Sequence, residues 1–346
     1  MRKSYIEFIR IIACILIIIP HIDTWDNPLF SCLRIYGVPI FAMIAGYVIF
    51  INNIKYVELL KRTFFKIIIP VFILTITVII FNDYIYNIST LYKCIKNINI
   101  IKIIIYIPSI LTFKFYSISK SLSHLWYIYQ YVFFIAIYPL INFLYKKKHN
   151  SLYFIIIIAI LSILSIINDI SLFNNHSPIF FTYKYSPKII IFFLIGCILY
   201  INKDFIFKYK KISIIASIIL ILIGSFLKFL YLKYISSSYS TDINTFGCLT
   251  SSIGAFILLL KIGRLFNNNK IINFIASKTY IIYLIHYPII EKIKPTIWKI
   301  LNNYKRAVIP KLLCTILVFI LMFIIATIIS YTISSSTKKI KKYITS

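Results

Sequence analysis

Glu7-Phe8-Ile9-Arg10-Ile11-Ile12-Ala13-Cys14-Ile15-Leu16-Ile17-Ile18-Ile19-Pro20-His21 is the stretch whose reading decides the fold. An arginine and a histidine bracket ten apolar residues. On a helix, eleven steps of about 100° return His21 to within roughly 20° of Arg10, and the rise separates them by about 16 Å along the axis. Ionisable groups inside a bilayer cost roughly 2.5–3.5 kcal/mol each on insertion scales and point to function by default. Two on one helix face predict a polar track facing the protein interior.

The rest of the chain repeats the apolar half of that pattern. Of 346 residues, 60% are hydrophobic, and the mean hydropathy is +0.90. A soluble domain cannot hide that much apolar surface, and runs of about 20 apolar residues read as membrane-spanning helices. Membrane-barrel strands would alternate polar and apolar residues, which these runs do not. The expected fold class is an all-α integral membrane protein, a bundle of about ten transmembrane helices. The spans fall near 6–22, 33–51, 64–82, 122–145, 151–169, 186–201, 212–232, 244–263, 274–291 and 308–333. One membrane domain, 1–346, is expected, with no obvious internal repeat and a long outer segment at about 83–121. The apolar piece 98–113 within that segment, broken by Lys102 and Pro108, reads as interfacial or re-entrant. Residues 1–22 lack a small-residue cleavage site and read as the first span, not a removed leader.

The net charge of +29 does not point to nucleic acid. Lysines and arginines cluster in short connections, among them Lys55, Lys61, Arg62 and Lys66, then Lys146, Lys147 and Lys148. About half of the 38 basic residues fall inside if both termini are cytoplasmic. That orientation puts Arg10 in the cytoplasmic half of the first helix and His21 near its outer end. The six cysteines form no close pairs and read as small core residues.

His21 is the leading candidate for chemistry, because imidazole takes and returns a proton near neutrality. Pro20 beside it frees the Leu16 carbonyl one turn back. Arg10 is suited to phosphate through its bidentate fork or to snorkelling toward headgroups. Glu7, one turn earlier, is placed to pair with Arg10 or to sit at the helix N-terminus. In the second span, Gly37 and Gly46 allow close helix contact, Pro39 suggests a kink, and Tyr47 reads as packing. Arg34 falls at the outer boundary. His124 and Tyr127 open span four beside Trp126, a position that also suits an aromatic belt. His286 lies near the outer end of span nine, so three histidines fall on the outer side. His149 and His176 lie in connections and read as solvent-exposed. No close ligand pair supports zinc, and no metal is expected. No G-x-S-x-G, Walker or Rossmann pattern occurs.

Taken together, these motifs resemble the acyltransferase-3 superfamily of integral membrane acyltransferases. Arg10 and His21 match its R-x10-H signature, with Glu7 where that family usually has Asp. Arg34-Ile35-Tyr36-Gly37-Val38-Pro39-Ile40-Phe41, followed by Ile44-Ala45-Gly46-Tyr47, is similar to its R-x-x-V-P-x-F-F-x-x-S-G-Y helix. His124-Leu125-Trp126-Tyr127-Ile128 resembles its H-L-W-F-L segment, and Ser277 through Pro288 its S-x-x-x-Y-L-x-H-x-P element. Ala45 replaces a usual serine and Ile11 a common glycine, and neither touches the Arg–His pair. The short branch without an appended extracellular domain looks closest, similar to the O-acetyltransferase of enterobacterial common antigen.

The resemblance implies a multi-pass enzyme of the cytoplasmic membrane. It would move an acyl group, most often acetyl from acetyl-CoA, to a hydroxyl of an envelope polysaccharide or lipid-linked glycan. Arg10 would hold the CoA phosphates. His21 would act as general base or carry the acyl group. Arg34, His124, Tyr127, Glu7 and His286 would line the substrate sites. The partners implied are acyl-CoA, the glycan acceptor and the bilayer. A transporter or flippase for a lipid-linked glycan is the competing reading, since it too would need intramembrane charges and broken helices.

Overall fold

The computed structural model describes residues 3–22, 36–51, 54–81, 120–147, 150–173, 186–234, 246–301 and 308–345. All regular structure among them is helical. The elements are α1 (Ser4–Ile22), α2 (Gly37–Val48), α3 (Tyr56–Thr63), a π turn (Phe64–Ile68) and α4 (Ile69–Phe81). A 3-10 turn (Lys120–Leu125) leads into α5 (Trp126–Ala136), α6 (Tyr138–Tyr145), α7 (Asn150–Phe173) and α8 (Ser186–Ile201). Then come α9 (Lys203–Lys208), α10 (Lys210–Tyr234), α11 (Phe246–Gly263), a 3-10 turn (Arg264–Phe266) and α12 (Lys270–Ala276). The chain ends in α13 (Thr279–Leu301) and α14 (Val308–Thr345).

Four of these helices are long and apolar enough to cross a membrane, and five if the pair Leu122–Ala136 and Tyr138–Tyr145, bent by 50°, counts as one. Their outward faces carry isoleucine and leucine, as at Ile215, Ile219 and Leu222 of α10 and Leu313, Leu317 and Ile324 of α14. Such faces are costly in water and at home in lipid. The helices also depart from the expected spans. The ninth does not stop near residue 291 but continues to Leu301 with Pro288 and Pro295 inside it. The last runs on to Thr345. The outer segment lies almost entirely outside the described residues, apart from its final 3-10 turn.

The chain packs as two compact units, Met1–Asn52 with Leu144–Ser346, and Asn53–Phe143. In the smaller unit Tyr56 stacks on Tyr138 at 6.2 Å, and the Tyr138 hydroxyl donates to the Ile54 carbonyl at 3.4 Å. In the larger unit α1 is central. Its Ile11, Cys14, Ile18 and Ile22, spaced as one helical stripe, join a core with Ile282 and Ile290 of α13 and Phe319 and Met322 of α14. Cys14, Cys197 and Cys248 are buried free thiols, as read from the sequence; Cys32 and Cys94 lie outside the described residues.

Glycines set the other contacts of α1 and α2. A Cβ on Gly37 would come within 2.7 Å of Ile17 Cγ1 and 3.0 Å of the Leu16 carbonyl carbon. The start of α2 therefore lies over the α1 backbone where Pro20 removes a hydrogen bond. Pro39 does not kink α2, contrary to expectation. It stands in the first turn, where the missing N–H has no intrahelical partner to lose. On its other side α2 packs Gly46 against the Phe193 carbonyl of α8, while Gly196 of α8 receives the Met43 carbonyl. Apolar burial does not hold helices together in lipid, so such backbone approach is where their packing energy arises. Gly46→Ala should force α2 and α8 apart. We expect a loss of about 1–3 kcal/mol in stability, read as a lower thermal midpoint in detergent; an unchanged midpoint would show that the contact is slack.

Candidate active site

Arg10 and His21 emerge from one unbroken helix, since α1 runs from Ser4 through Pro20 to Ile22. Arg10 Nη1 donates to Glu7 Oε2 at 2.7 Å. The Glu7 side chain is 6% exposed and that of Arg10 29%, so the carboxylate is buried and the guanidinium keeps an open side. Glu7 thus fixes the arginine and satisfies one of its five N–H groups. The remaining donors can still face an anion.

At the other end of α1, His21 meets α13. The two helices run in parallel and in step: Cys14 Sγ lies 3.8 Å from the Thr279 carbonyl, and seven residues further along each chain His21 meets His286. The imidazole centroids stand 5.1 Å apart at 52°. The Tyr287 ring meets His21 edge-on at 4.8 Å. His286 is 1% exposed, and its Nδ1 lies 2.6 Å from the Tyr283 carbonyl. A carbonyl oxygen only accepts, so Nδ1 carries the proton and Nε2 is the acceptor of the neutral ring. The ring is therefore held in one tautomer beside His21. Half-buried His21 is the more accessible of the pair.

Two other expected site residues stand on the 3-10 turn and on α5. His124 is buried in the 3-10 turn before α5, and buried Tyr127 sits in the first turn of α5, edge-on to Trp126 at 6.3 Å. Both belong to the smaller unit. Arg34 lies outside the described residues, as do His149 and His176. No group of three or more His, Cys, Asp or Glu that could hold a metal is found among the described residues. Tyr287 was missed in the sequence, where an aromatic next to a histidine near a span end reads as a belt residue.

A family model for an acyltransferase domain matches residues 3–335. The chain belongs to the acyltransferase-3 family. The match covers nearly the whole chain, including α1 with both of its polar residues and α13 with His286. Membership makes this a membrane acyltransferase and agrees with the apolar helices. No curated protein matches the chain. No solved structure matches it either.

Proposed function

We propose that this acyltransferase moves an acyl group, most often acetyl, from acyl-CoA to a hydroxyl of an envelope polysaccharide or lipid-linked glycan. The observation that carries this reading is the pair of polar ends on α1: a carboxylate-held arginine at one and a half-buried histidine against a second histidine at the other. Arg10 would grip the phosphates of the donor. The pantetheine arm is long and thin enough to follow the α1 face toward His21. Both termini would be cytoplasmic, which puts Arg10 on the side where acyl-CoA occurs.

At His21 the chemistry needs one proton carried in and out. In the direct route His21 takes the proton from the sugar hydroxyl, and the oxygen attacks the thioester carbonyl. The C–S bond breaks, and the proton passes to the departing thiolate. In the covalent route the His21 nitrogen displaces the thiolate; the sugar oxygen then attacks the acyl-imidazole, the C–N bond breaks, and the hydroxyl proton passes to the thiolate. Arg34 would bind the acceptor or the developing oxyanion. His286 would stand beside the reacting group, its tautomer set by the Tyr283 carbonyl.

Purified protein, radiolabelled acetyl-CoA and envelope glycan provide the direct test. Label should move to the glycan. Absent transfer, together with protein-dependent movement of a lipid-linked glycan across vesicles, would replace acylation by transport. Mass spectrometry of envelope glycans with and without the gene should show loss of one acyl mass on one sugar. Identical spectra would reject an envelope glycan as acceptor.

A further inference from the structure

The N-terminal end of α1 holds a second cluster of cations, separate from the Glu7–Arg10 pair. Gly263, which ends α11, lets the chain pass so close that a Cβ there would lie 2.7 Å from the Tyr5 carbonyl oxygen. The following 3-10 turn then stacks Phe266 on Phe8 at 4.9 Å. This docks Arg264 beside α9, where its guanidinium carbon stands over the Phe207 ring, 3.2 Å from the centroid. Tyr5 meets the same ring edge-on at 6.3 Å. Lys261, 8% exposed, donates from Nζ to the Ile206 carbonyl. Its ammonium also stands 5.5 Å from the Phe207 centroid.

These cations are crowded and not neutralised. Arg264 and Lys210 both repel the Lys261 charge. Among the described residues, Arg264, Lys261 and Lys210 form no ion pair with a carboxylate. Asp204, in the first turn of α9, forms no ion pair with them. A lysine at a membrane boundary ordinarily extends its ammonium to water. Lys261 instead folds it inward beside another cation.

A hydroxyl points to the same place. Tyr47 of α2 is fully buried, and its hydroxyl makes no hydrogen bond of standard geometry among the described residues. The Tyr5 hydroxyl faces it as a hydrogen-bonding neighbour, and the Tyr200 hydroxyl and the Arg264 guanidinium act on it as well. A buried hydroxyl set among other hydroxyls and a cation can give its proton to an anion there.

We propose that Arg264, Lys261 and the Tyr47 hydroxyl form a phosphate-binding site at the N-terminal end of α1. Three donors of different geometry suit a tetrahedral anion better than a planar carboxylate, and a guanidinium over the Phe207 ring can bind in a fork. The phosphate belongs either to a nucleotide or to a lipid headgroup. Under the acyl-transfer reading, on which this identification rests, it is one of the donor's: CoA carries a diphosphate and a separate phosphomonoester, enough for Arg10 and this site together.

Adenosine 3′,5′-bisphosphate, which has no thiol and no acyl group, is the probe. Calorimetry on the detergent-purified full-length protein should show binding that weakens at least about tenfold (about 1.4 kcal/mol) in Arg264→Gln and in Tyr47→Phe. Tyr47→Phe removes only the hydroxyl, and its thermal midpoint without ligand should equal or exceed that of the wild type. His21→Ala should bind the probe normally. If the bisphosphate does not bind, but phosphatidylglycerol nanodiscs raise the midpoint of wild type over phosphatidylcholine ones and do not do so for Arg264→Gln, the site stands and its phosphate is a lipid's. If neither probe distinguishes wild type from the two variants, the site is overturned. Label transfer with an unchanged acyl-CoA KM in both variants would remove the donor's phosphate from the site and leave the transferase. Probe binding without any transfer would do the reverse.

Discussion

His21→Ala should lower acyl transfer by about 10²–10⁴-fold, the span expected for losing a positioned acid–base group. The substitution leaves α1 a good helix, because alanine has the highest helix propensity and Pro20 already limits the last turn. What it removes is the half-buried imidazole between His286 and Tyr287. Donor affinity should stay within a few-fold of wild type, since the phosphates would be held about 16 Å away along the helix. Equal label transfer by wild type and variant would end the assignment of His21 to catalysis. The same reagent separates the two routes. Incubated with labelled acyl-CoA and no acceptor, then desalted rapidly near neutral pH, the wild type should retain label that His21→Ala does not if His21 carries the acyl group.

Arg10→Ala should act on the donor instead. Truncating one partner of a desolvated charge contact costs roughly 2–5 kcal/mol, and here it has two sources. The phosphate loses its fork, and Glu7, with 6% of its side chain exposed, is left as a buried carboxylate without its cation. The first appears in acyl-CoA affinity and the second in stability. Arg10→Ala combined with Glu7→Gln should recover much of the thermal midpoint without recovering donor affinity. An acyl-CoA affinity unchanged in Arg10→Ala would take Arg10 out of the donor site.

Much of this site can be read in the chain. Arg10 and His21 stand out because charge is expensive within an apolar run, and helix periodicity alone puts them on one face. The contact between His21 and His286 is not legible there. It joins two helices 265 residues apart in sequence, and its register is set by Cys14 resting against the Thr279 carbonyl. Tyr47 was legible only as packing. Which way each side chain turns depends on neighbours brought in by the glycines at 46 and 263.

By itself the sequence determined that the protein is helical and lies in a membrane, since isoleucine-rich runs without alternation leave the backbone no other way to satisfy its hydrogen bonds in lipid. It also carried the family, through motifs whose order survives along nearly the whole chain. Tertiary structure decided the rest: where helices begin and end, that Pro39 opens α2 instead of bending it, and that Glu7 takes hold of Arg10. Above all it decided that a second histidine meets the one at the end of α1. Periodicity assigns a residue to a face of its own helix, whereas the partner of that face is chosen by backbone approach between segments far apart in the chain.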